Sequence, residues 1–244
     1  MSLTLNMVGG GSGGGISPNK ATIHVTAILG SQIDISFGGS VVKTIPSNQA
    51  VPNSDGKTAD YYYSTSTTGT YTVTATVGSI SYSKTVSVSA MNQYDVSVKI
   101  LIVYDQGNEN TSVTGGIQRQ KGIADSAYGL GTMTKNTDNI YVYAGDSQGV
   151  AAVTVNKINV TGYKTLCLYA TDAGGSSGGP RLCFTNDSNG GITNGIANKQ
   201  FTNTGLITLD ISTVGTKTGY VSARCLGANH TWAKVTFTKI WVED

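Results

Sequence analysis

Residues 69–77 read GTYTVTATV, and residues 83–88 read SKTVSV after a turn at Gly78-Ser79. In the first segment, tyrosine, valine and alanine alternate with threonine, and a period of two is typical of a strand with one buried face. The second segment alternates serine and threonine with lysine and valine. Two such segments on either side of a glycine turn predict a β-hairpin.

The alternation continues upstream of this hairpin. Residues 23–27 place isoleucine, valine and alanine in one phase, residues 33–37 repeat the pattern, and Gly38-Gly39 marks a turn. Residues 46–57 form a polar, proline-containing connection. Short strands with turn signals between them predict a β-sandwich over residues 20–90.

A second series of strands follows a boundary that we place at residues 91–93. It starts with a strongly apolar strand over residues 96–104, and no helical periodicity follows. The later predicted strands cover residues 139–144, 151–160, 165–170, 181–185, 205–211, 220–226 and 233–242. About eight strands in this length predict a jelly roll over residues 93–244.

Composition argues against several classes of function. Of the 244 residues 12% are charged, and the net charge is +2. No cluster of lysine and arginine could neutralise several phosphates, so we expect no nucleic-acid partner. No apolar run approaches the roughly 20 residues of a membrane span, so no membrane is expected. The first residues lack the basic segment of a secretion signal, so we expect cytoplasmic synthesis, with Cys167, Cys183 and Cys225 as buried thiols.

The first 19 residues are predicted to form an anchor and a tether. Residues 9–15 read GGGSGGG and follow a short apolar peptide, LTLNMV, at residues 3–8. A glycine-rich tract does not hold one conformation, so it acts as a flexible tether. The apolar peptide either adds a strand to a partner's sheet or is a frayed terminus, and the sequence leaves both open.

The hairpin at residues 69–88 resembles the last two strands of bacterial immunoglobulin-like domains, in which a tyrosine stands near the start of the penultimate strand. This resemblance implies an immunoglobulin-like fold for residues 20–90. The predicted fold class is therefore all-β, with an immunoglobulin-like β-sandwich followed by a jelly-roll β-sandwich.

Several stretches resemble tail and baseplate proteins of phages and prophages of Gram-positive gut bacteria. The stretches are YDQGNE at 104–109 with VTGG at 113–116, VNKINVTGYKTL at 155–166, VTFTKIWV at 235–242, and LTLNMV with the glycine tract. Their order and combination carry the resemblance. Ile117 departs from it, because the family has an aromatic residue at that point.

The resemblance implies a virion protein of a phage tail, baseplate or fibre, made in the host cytoplasm. It implies a jelly roll similar to carbohydrate-binding ones, which faces host cell-wall or surface polysaccharide. We expect attachment to other virion proteins through residues 1–15, and a homo-oligomer or multiple copies per particle. A capsid decoration or head-fibre protein and a cell-surface carbohydrate-binding module remain as alternatives.

No residue pattern marks a catalytic site. His24 and His230 fall in different predicted domains, and neither has a motif nucleophile beside it. Most carboxylates lie in turns such as Asn186-Asp187, where aspartate has a local hydrogen-bonding role. A glycosidase pair depends on a separation in space that the sequence does not give. We therefore expect a protein that is not an enzyme.

The candidate metal ligands are Asp105 and Glu109, which flank a turn directly after a strand. Carboxylates and backbone carbonyls at such a turn suit calcium. A solvated turn without a metal is favoured, because the sequence has no dense repeat of Asp and Asn. No other cofactor is expected.

Sugar binding calls for exposed aromatic rings with polar or charged side chains nearby. Trp232 follows a turn-forming segment and is expected to be exposed, and three consecutive tyrosines at residues 61–63 require at least one outward ring. The candidate carbohydrate-binding residues are Trp232, Tyr128, Arg181 and Arg224. The aromatic residues expected in the core are Tyr71, Tyr163 and Trp241.

Overall fold

The computed structural model describes residues 19–121, 131–145, 148–176, 179–191, 195–226 and 232–244. The chain divides into two compact units, Met1–Thr76 with Ser83–Val98 and Val77–Tyr82 with Lys99–Asp244. Strands dominate the described part of each unit, and this confirms the predicted all-β fold. Within the described residues, no helix combines the length and the apolar character that crossing a bilayer requires.

The first unit is an immunoglobulin-like sandwich of two four-stranded sheets, with strand orders β4-β5-β1-β8 and β3-β2-β6-β7. Its strands are β1 (Ala21–Ile28), β2 (Gln32–Phe37), β3 (Ser40–Ile45), β4 (Val51–Pro52), β5 (Thr58–Thr65), β6 (Gly69–Val77), β7 (Ile80–Val88) and β8 (Gln93–Val98). The apolar phase of each alternating segment faces the core, as in Ile23, Val25 and Ala27, which are fully buried. The hairpin predicted over residues 69–88 is the pair β6–β7.

Tyr71 forms the tyrosine corner of this sandwich. The residue lies near the start of β6 with 1% of its surface exposed. Its hydroxyl donates to the carbonyl oxygen of Thr67 at 2.9 Å and lies 2.9 Å from the hydroxyl of Thr65. A buried phenol needs hydrogen-bond partners, and immunoglobulin folds supply them from the backbone a few residues upstream. The expected core position of Tyr71 is confirmed.

The end of the first unit differs from the sequence-based boundary. Strand β8 pairs in parallel with β1, from Thr22↔Gln93 to Ala27↔Val98. The units divide after Val98, one strand beyond the predicted division at residues 91–93. The apolar stretch at residues 96–104 is therefore not one strand, and β6 and β7 are followed by a further strand of the same unit. The sequence gives no turn signal at Lys99, where the chain passes from one unit to the next.

The second unit is a jelly-roll sandwich. Its elements are β9 (Ile100–Asp105), β10 (Asn108–Glu109), α1 (Thr111–Thr114), β11 (Ile117–Lys121), β12 (Thr132–Lys135), β13 (Ile140–Ala144), β14 (Gly149–Thr154), β15 (Ile158–Asn159), β16 (Thr165–Gly175), β17 (Arg181–Thr185), β18 (Gly195–Gln200), β19 (Gly205–Asp210), β20 (Thr218–Leu226) and β21 (Ala233–Glu243). A seven-stranded sheet contains β10-β9-β21-β13-β12, with β16 pairing β21 and β19. A six-stranded sheet contains β11-β14-β20-β17-β18, with β15 on β20.

One hydrophobic core fills the space between these two sheets. Its largest fully buried members include Phe184, Phe237, Leu166 and Ile140. Four described strands of the second unit, β10, β11, β12 and β18, lie in stretches for which we predicted no strand. The sequences of β12, TMTK, and β18, GIANKQ, are short and mostly polar. Sheet pairing rather than apolar alternation forms such edge strands, and periodicity therefore misses them.

The three cysteines are free and buried, as expected. Burial raises the pKa of the Cys167 and Cys225 thiols far above the ordinary value. Burial also raises the pKa of Cys183, to about 11. The thiols therefore stay protonated near neutral pH and behave as small apolar side chains.

Candidate functional site

Connections between the two sheets of the second unit gather at one end of the sandwich. Strand pairing shows this, because Ala233 at the start of β21 lies opposite both Ala144 and Gly175, the last residues of β13 and β16. On the other sheet, the start of β17 lies opposite the C-terminal part of β20. The consecutive strands whose facing ends meet here are β11 and β12, β13 and β14, β16 and β17, β18 and β19, and β20 and β21, and this end is called the crossover end.

Two tyrosines lie on the outer surface of the seven-stranded sheet near the crossover end. Ile140, Val142 and Ala144 of β13 point into the core, so the alternate residues Tyr141 and Tyr143 face outward and are partly exposed. Their rings are nearly parallel, with an interplanar angle of 10° and centroids 6.4 Å apart. The two rings are therefore stacked on one surface of the sheet.

Trp232 stands at the crossover end and is 38% exposed, which confirms its expected exposure. Its backbone N–H donates to the hydroxyl of Ser176, and its carbonyl accepts the N–H of Ser176, both at 3.0 Å. The indole ring lies over Gly174, where an added Cβ would come within 3.1 Å of Cη2. Glycine at position 174 thus lets the ring lie against the strand, and Ser176 fixes its backbone.

An ion pair lies between the tryptophan and the tyrosines. Lys234 has Tyr143 as its neighbour on β13 and Gly174 as its neighbour on β16. Its Nζ donates to Oδ2 of Asp172 at 2.6 Å. This hydrogen bond raises the pKa of Lys234, so the lysine stays charged. We call the surface formed by Tyr141, Tyr143, Asp172, Trp232 and Lys234 the aromatic face.

The structure brings Arg181 and Arg224 directly opposite each other. They are register partners of β17 and β20, both half-buried on the outer surface of the six-stranded sheet. The guanidinium of Arg181 donates to Oε1 of Gln200 at 2.9 Å, and the side chain of Gln200 lies against Gly179 in the connection after Ser176. The arginine pair and Trp232 therefore lie at the same crossover end, on the surfaces of different sheets.

The sequence-based candidates thus meet in part. Trp232, Arg181 and Arg224 lie at one end, whereas Tyr128 and the histidine at position 230 lie outside the described residues. Sequence reasoning missed the aromatic face apart from its tryptophan. The signal was present in IYVYA at residues 140–144, because the alternation that buries isoleucine, valine and alanine places both tyrosines outward.

The proposed calcium ligands face different protein groups. The carboxylate of Asp105 accepts hydrogen bonds from the N–H and the hydroxyl of Ser79, at 2.9 and 2.5 Å. Glu109 pairs with Lys135 through Oε1 at 2.5 Å and accepts the N–H of Ile117 through Oε2 at 2.8 Å. Among the described residues, no group of three or more His, Cys, Asp or Glu side chains could hold a metal ion. Calcium binding stays a prediction.

The other aromatic residues have structural roles. Tyr61 is buried, and its hydroxyl donates to the carbonyl of Ser31 at 2.8 Å. Tyr62 faces outward, as one member of the 61–63 run must, and stacks on His24 with centroids 4.9 Å apart. Trp241 is 7% exposed, so its expected burial is confirmed.

Comparisons with known proteins do not assign this chain to a family. The sequence matches no protein-family model, and no curated protein sequence matches it significantly. A structure from work on the promiscuous specificity of carbohydrate-binding modules of the β-sandwich superfamily matches with 12% identity and a TM-score of 0.30, over 86% of this chain and 84% of that one. A structure of manganese lipoxygenase of Gaeumannomyces graminis with part of zonadhesin of Komagataella pastoris matches with 10% identity and a TM-score of 0.13, over 95% of this chain and 74% of that one. At these TM-scores neither match supports an argument, and the function has to be inferred from the geometry above.

Proposed function

We propose that the second sandwich is a non-catalytic polysaccharide-binding module that binds its ligand on the aromatic face. The observation that carries this proposal is the exposed indole of Trp232, which packs against Gly174 on the surface that also carries two parallel tyrosine rings. Soluble proteins usually bury large aromatic rings, and an exposed group of them marks an interaction surface.

The chemistry of the aromatic face suits a sugar. Aromatic rings offer flat apolar surfaces to the C–H groups of a pyranose ring. Lys234 and Asp172, which lie between the rings, offer one donor and one acceptor to hydroxyl groups. Each sugar hydroxyl exchanges water for protein hydrogen bonds, so the affinity of a single site is low. Many copies on one particle would raise the effective affinity.

The same geometry favours binding over catalysis. Glycoside hydrolysis uses two carboxyl groups that flank the scissile bond. The carboxylate that the described residues place on the aromatic face is Asp172, and it is held by Lys234 at 2.6 Å. A second carboxylate at a suitable separation is not part of this face as the described residues define it.

The setting that we propose is a phage virion protein of a tail, baseplate or fibre. The support is the resemblance of residues 104–116, 155–166 and 235–242 to such proteins. In this setting the immunoglobulin-like sandwich is a spacer, and the jelly roll faces the polysaccharide of the host surface. A capsid location agrees equally well with the geometry.

Affinity electrophoresis of the full chain in gels that contain cell-wall polysaccharide of Gram-positive bacteria tests the binding function. Trp232→Ala and Tyr143→Ala should abolish most of the retardation, and their unfolding midpoints should stay close to that of the unchanged chain. Tyr220→Ala is the matched control, because Tyr220 is a partly exposed aromatic residue of the six-stranded sheet, near the start of β20. Equal retardation of all variants, or none for the unchanged chain, would refute the proposal.

Attachment through residues 1–15 is the second part of the proposal. These residues lie outside the described part of the chain, and their apolar peptide and glycine tract support the idea. Deletion of residues 1–15 should prevent incorporation into particles, because the segment that adds to a partner is lost. Particle purification followed by immunoblotting measures this, and particles that still carry the truncated chain would count against an N-terminal anchor.

A further inference from the structure

Arg181 and Arg224 are an uncommon pair in a sheet. Directly opposed residues of an antiparallel pair have Cβ atoms about 5 Å apart, and like charges in this arrangement destabilise the sheet. The two residues are register partners and lie on the same surface, two positions from the buried partners Cys183 and Ser222. An arginine remains protonated at any physiological pH, so this repulsion cannot be relieved by loss of a proton.

Neutral groups orient the first arginine. Nη1 of Arg181 donates to Oδ1 of Asn198 at 2.7 Å, and Nη2 donates to Oε1 of Gln200 at 2.9 Å. These amides fix the plane of the guanidinium without cancelling its charge. Held in this way, the group loses little conformational freedom when it binds an anion.

The second arginine is incompletely paired. Nη1 of Arg224 is buried and has no hydrogen-bond partner among the described residues. Within the same residues, neither arginine has a carboxylate partner. A buried donor on a charged group costs free energy when it is left without an acceptor. An acceptor that a ligand supplies would remove this cost.

A covering turn borders the pair on one side. Gly190, with a φ of 68°, packs its backbone against Ala151 and Ser222, and the hydroxyl of Ser222 donates to the carbonyl of Gly190 at 3.1 Å. The outer surface of the six-stranded sheet is therefore closed next to Arg224. Burial raises the pKa of the Cys183 thiol, whereas a hydrogen bond to Ser222 and the positive charges of both arginines lower it. Both arginine charges therefore lie close to the same thiol.

We propose that Arg181 and Arg224 form a subsite for an anionic group, a phosphate or a carboxylate, of the polysaccharide that the second sandwich binds. The inference rests on the proposed function and narrows the ligand to an acidic polysaccharide. Two neighbouring guanidinium groups provide several N–H donors in fork geometry, which suits the oxygens of either anion. Because Trp232 lies at the same crossover end on the other sheet, a polysaccharide that contacts both sites would pass around this end of the sandwich.

Isothermal titration of the full chain at low salt, with three probes, tests the subsite. Polygalacturonate carries carboxylates, sodium polyphosphate carries phosphates without sugar, and dextran is neutral. Polygalacturonate or polyphosphate should bind at least about tenfold more tightly than dextran, and salt should weaken this preference because it screens exposed charges. The acidic probe that binds with the higher affinity identifies the anion as a carboxylate or a phosphate.

The variants separate the subsite from the aromatic face. Arg224→Gln and Arg181→Gln should each remove the preference for the acidic probe and leave the unfolding midpoint unchanged or higher. Lys164→Gln removes the same charge at an exposed position at the start of β16, away from the crossover end, and should have no effect. Trp232→Ala should weaken the binding of dextran and of polygalacturonate, and it should leave the binding of polyphosphate unchanged.

Three results would overturn the subsite. They are equal affinity for dextran and both acidic probes, an acidic preference that survives Arg224→Gln, and a lower unfolding midpoint in both arginine variants, which would show a structural role. If a single-stranded oligonucleotide binds more tightly than every polysaccharide, the ligand is a nucleic acid and the proposed acidic polysaccharide is wrong. Polyphosphate binding that needs both arginines, without any polysaccharide binding, would keep the anion subsite and refute the proposed function.

Discussion

The two sandwiches use their charged side chains in different ways. In the first, His24 lies between two carboxylates, with Nδ1 at 2.7 Å from Asp95 and Nε2 at 3.2 Å from Asp60. In the second, Arg181 and Arg224 face each other, and neither has a carboxylate partner among the described residues. The contrast concerns these groups alone, because Lys135 and Lys234 of the second unit do pair with carboxylates. His24 contacts carboxylates of its own fold, whereas the two arginines have no such contact among the described residues.

The aromatic residues repeat this contrast. On the first unit, the outward ring of Tyr62 stacks on His24 and so has a partner within the fold. On the second, Trp232 packs against Gly174 and keeps 38% of its surface exposed. An exposed aromatic ring of this kind is typical of an interaction surface.

The largest expected effect concerns the boundary between the two units. A fragment of residues 19–98 should show a cooperative unfolding transition, and a fragment of residues 20–90 should not. The shorter fragment lacks β8, which pairs with β1 along its length and buries Val96 and Val98. Circular dichroism against temperature measures both. Equal midpoints for the two fragments would show that β8 is dispensable and that the first unit ends where the sequence suggested.

Core truncation tests whether the two units unfold separately. Phe184→Ala should destabilise the second unit by about 3–5 kcal/mol, the usual cost of removing a buried phenylalanine. Phe184 is fully buried between the two sheets of the second unit. In calorimetry, one transition should move to lower temperature and the other should stay in place. A common shift of the whole endotherm would mean that the chain unfolds as one unit.

The tyrosine corner predicts a smaller loss of stability when it is removed from the first unit. Tyr71→Phe removes the hydroxyl that donates to Thr67 and contacts Thr65. Leaving these buried groups unpaired should cost about 1–2 kcal/mol, and polysaccharide binding should not change. Urea unfolding of the full chain measures the loss. A neutral result would show that the hydroxyl is satisfied equally well by water in the unfolded chain.

The smallest effect is a difference in acid sensitivity. Burial raises the pKa of Asp60, but hydrogen bonds from Asn53, Thr26 and His24 together lower it by more, so the net pKa is below the ordinary value. Hydrogen bonds from Gln93 and His24 lower the pKa of Asp95. The stability from these carboxylates is complete above the unfolded pKa of about 3.9 and is lost as the pH falls through the folded pKa.

The first unit should therefore lose stability below about pH 4, and Asp60→Asn should reduce that loss. The measurement is the unfolding midpoint of the first transition at several pH values between about 3 and 6. The same acid sensitivity in Asp60→Asn and in the unchanged chain would show that the contacts of Asp60 contribute no stability.

Much of the fold follows from local pattern. The alternation at residues 69–77 specifies a strand, because a period of two has one structural meaning when one face is buried. The break after Val98 does not follow, because Lys99 is the residue between β8 and β9 and no glycine or proline marks a turn there. Only the parallel pairing of β8 with β1, a contact between residues far apart in the chain, separates them.

The sequence predicted some residues of the candidate site from their type, but it did not predict how they are arranged in space. Exposure of Trp232 was predicted from the turn-forming residue types before it in the sequence. The opposition of Arg181 and Arg224, in contrast, depends on the register of β17 and β20. That register is fixed by packing of residues such as Leu182 and Val221, which pattern alone does not align. The same limit applies to Lys234 and Asp172, which are 62 residues apart in the chain.

The central claim is that polysaccharide covers the indole of Trp232, and the chain contains only two tryptophans, one exposed and one buried. In Trp241→Phe, fluorescence reports Trp232 alone, and in Trp232→Phe it reports the buried Trp241. Saturating cell-wall polysaccharide should reduce acrylamide quenching in Trp241→Phe and leave it unchanged in Trp232→Phe. Quenching of Trp232 that stays the same while the polysaccharide is demonstrably bound would contradict the account.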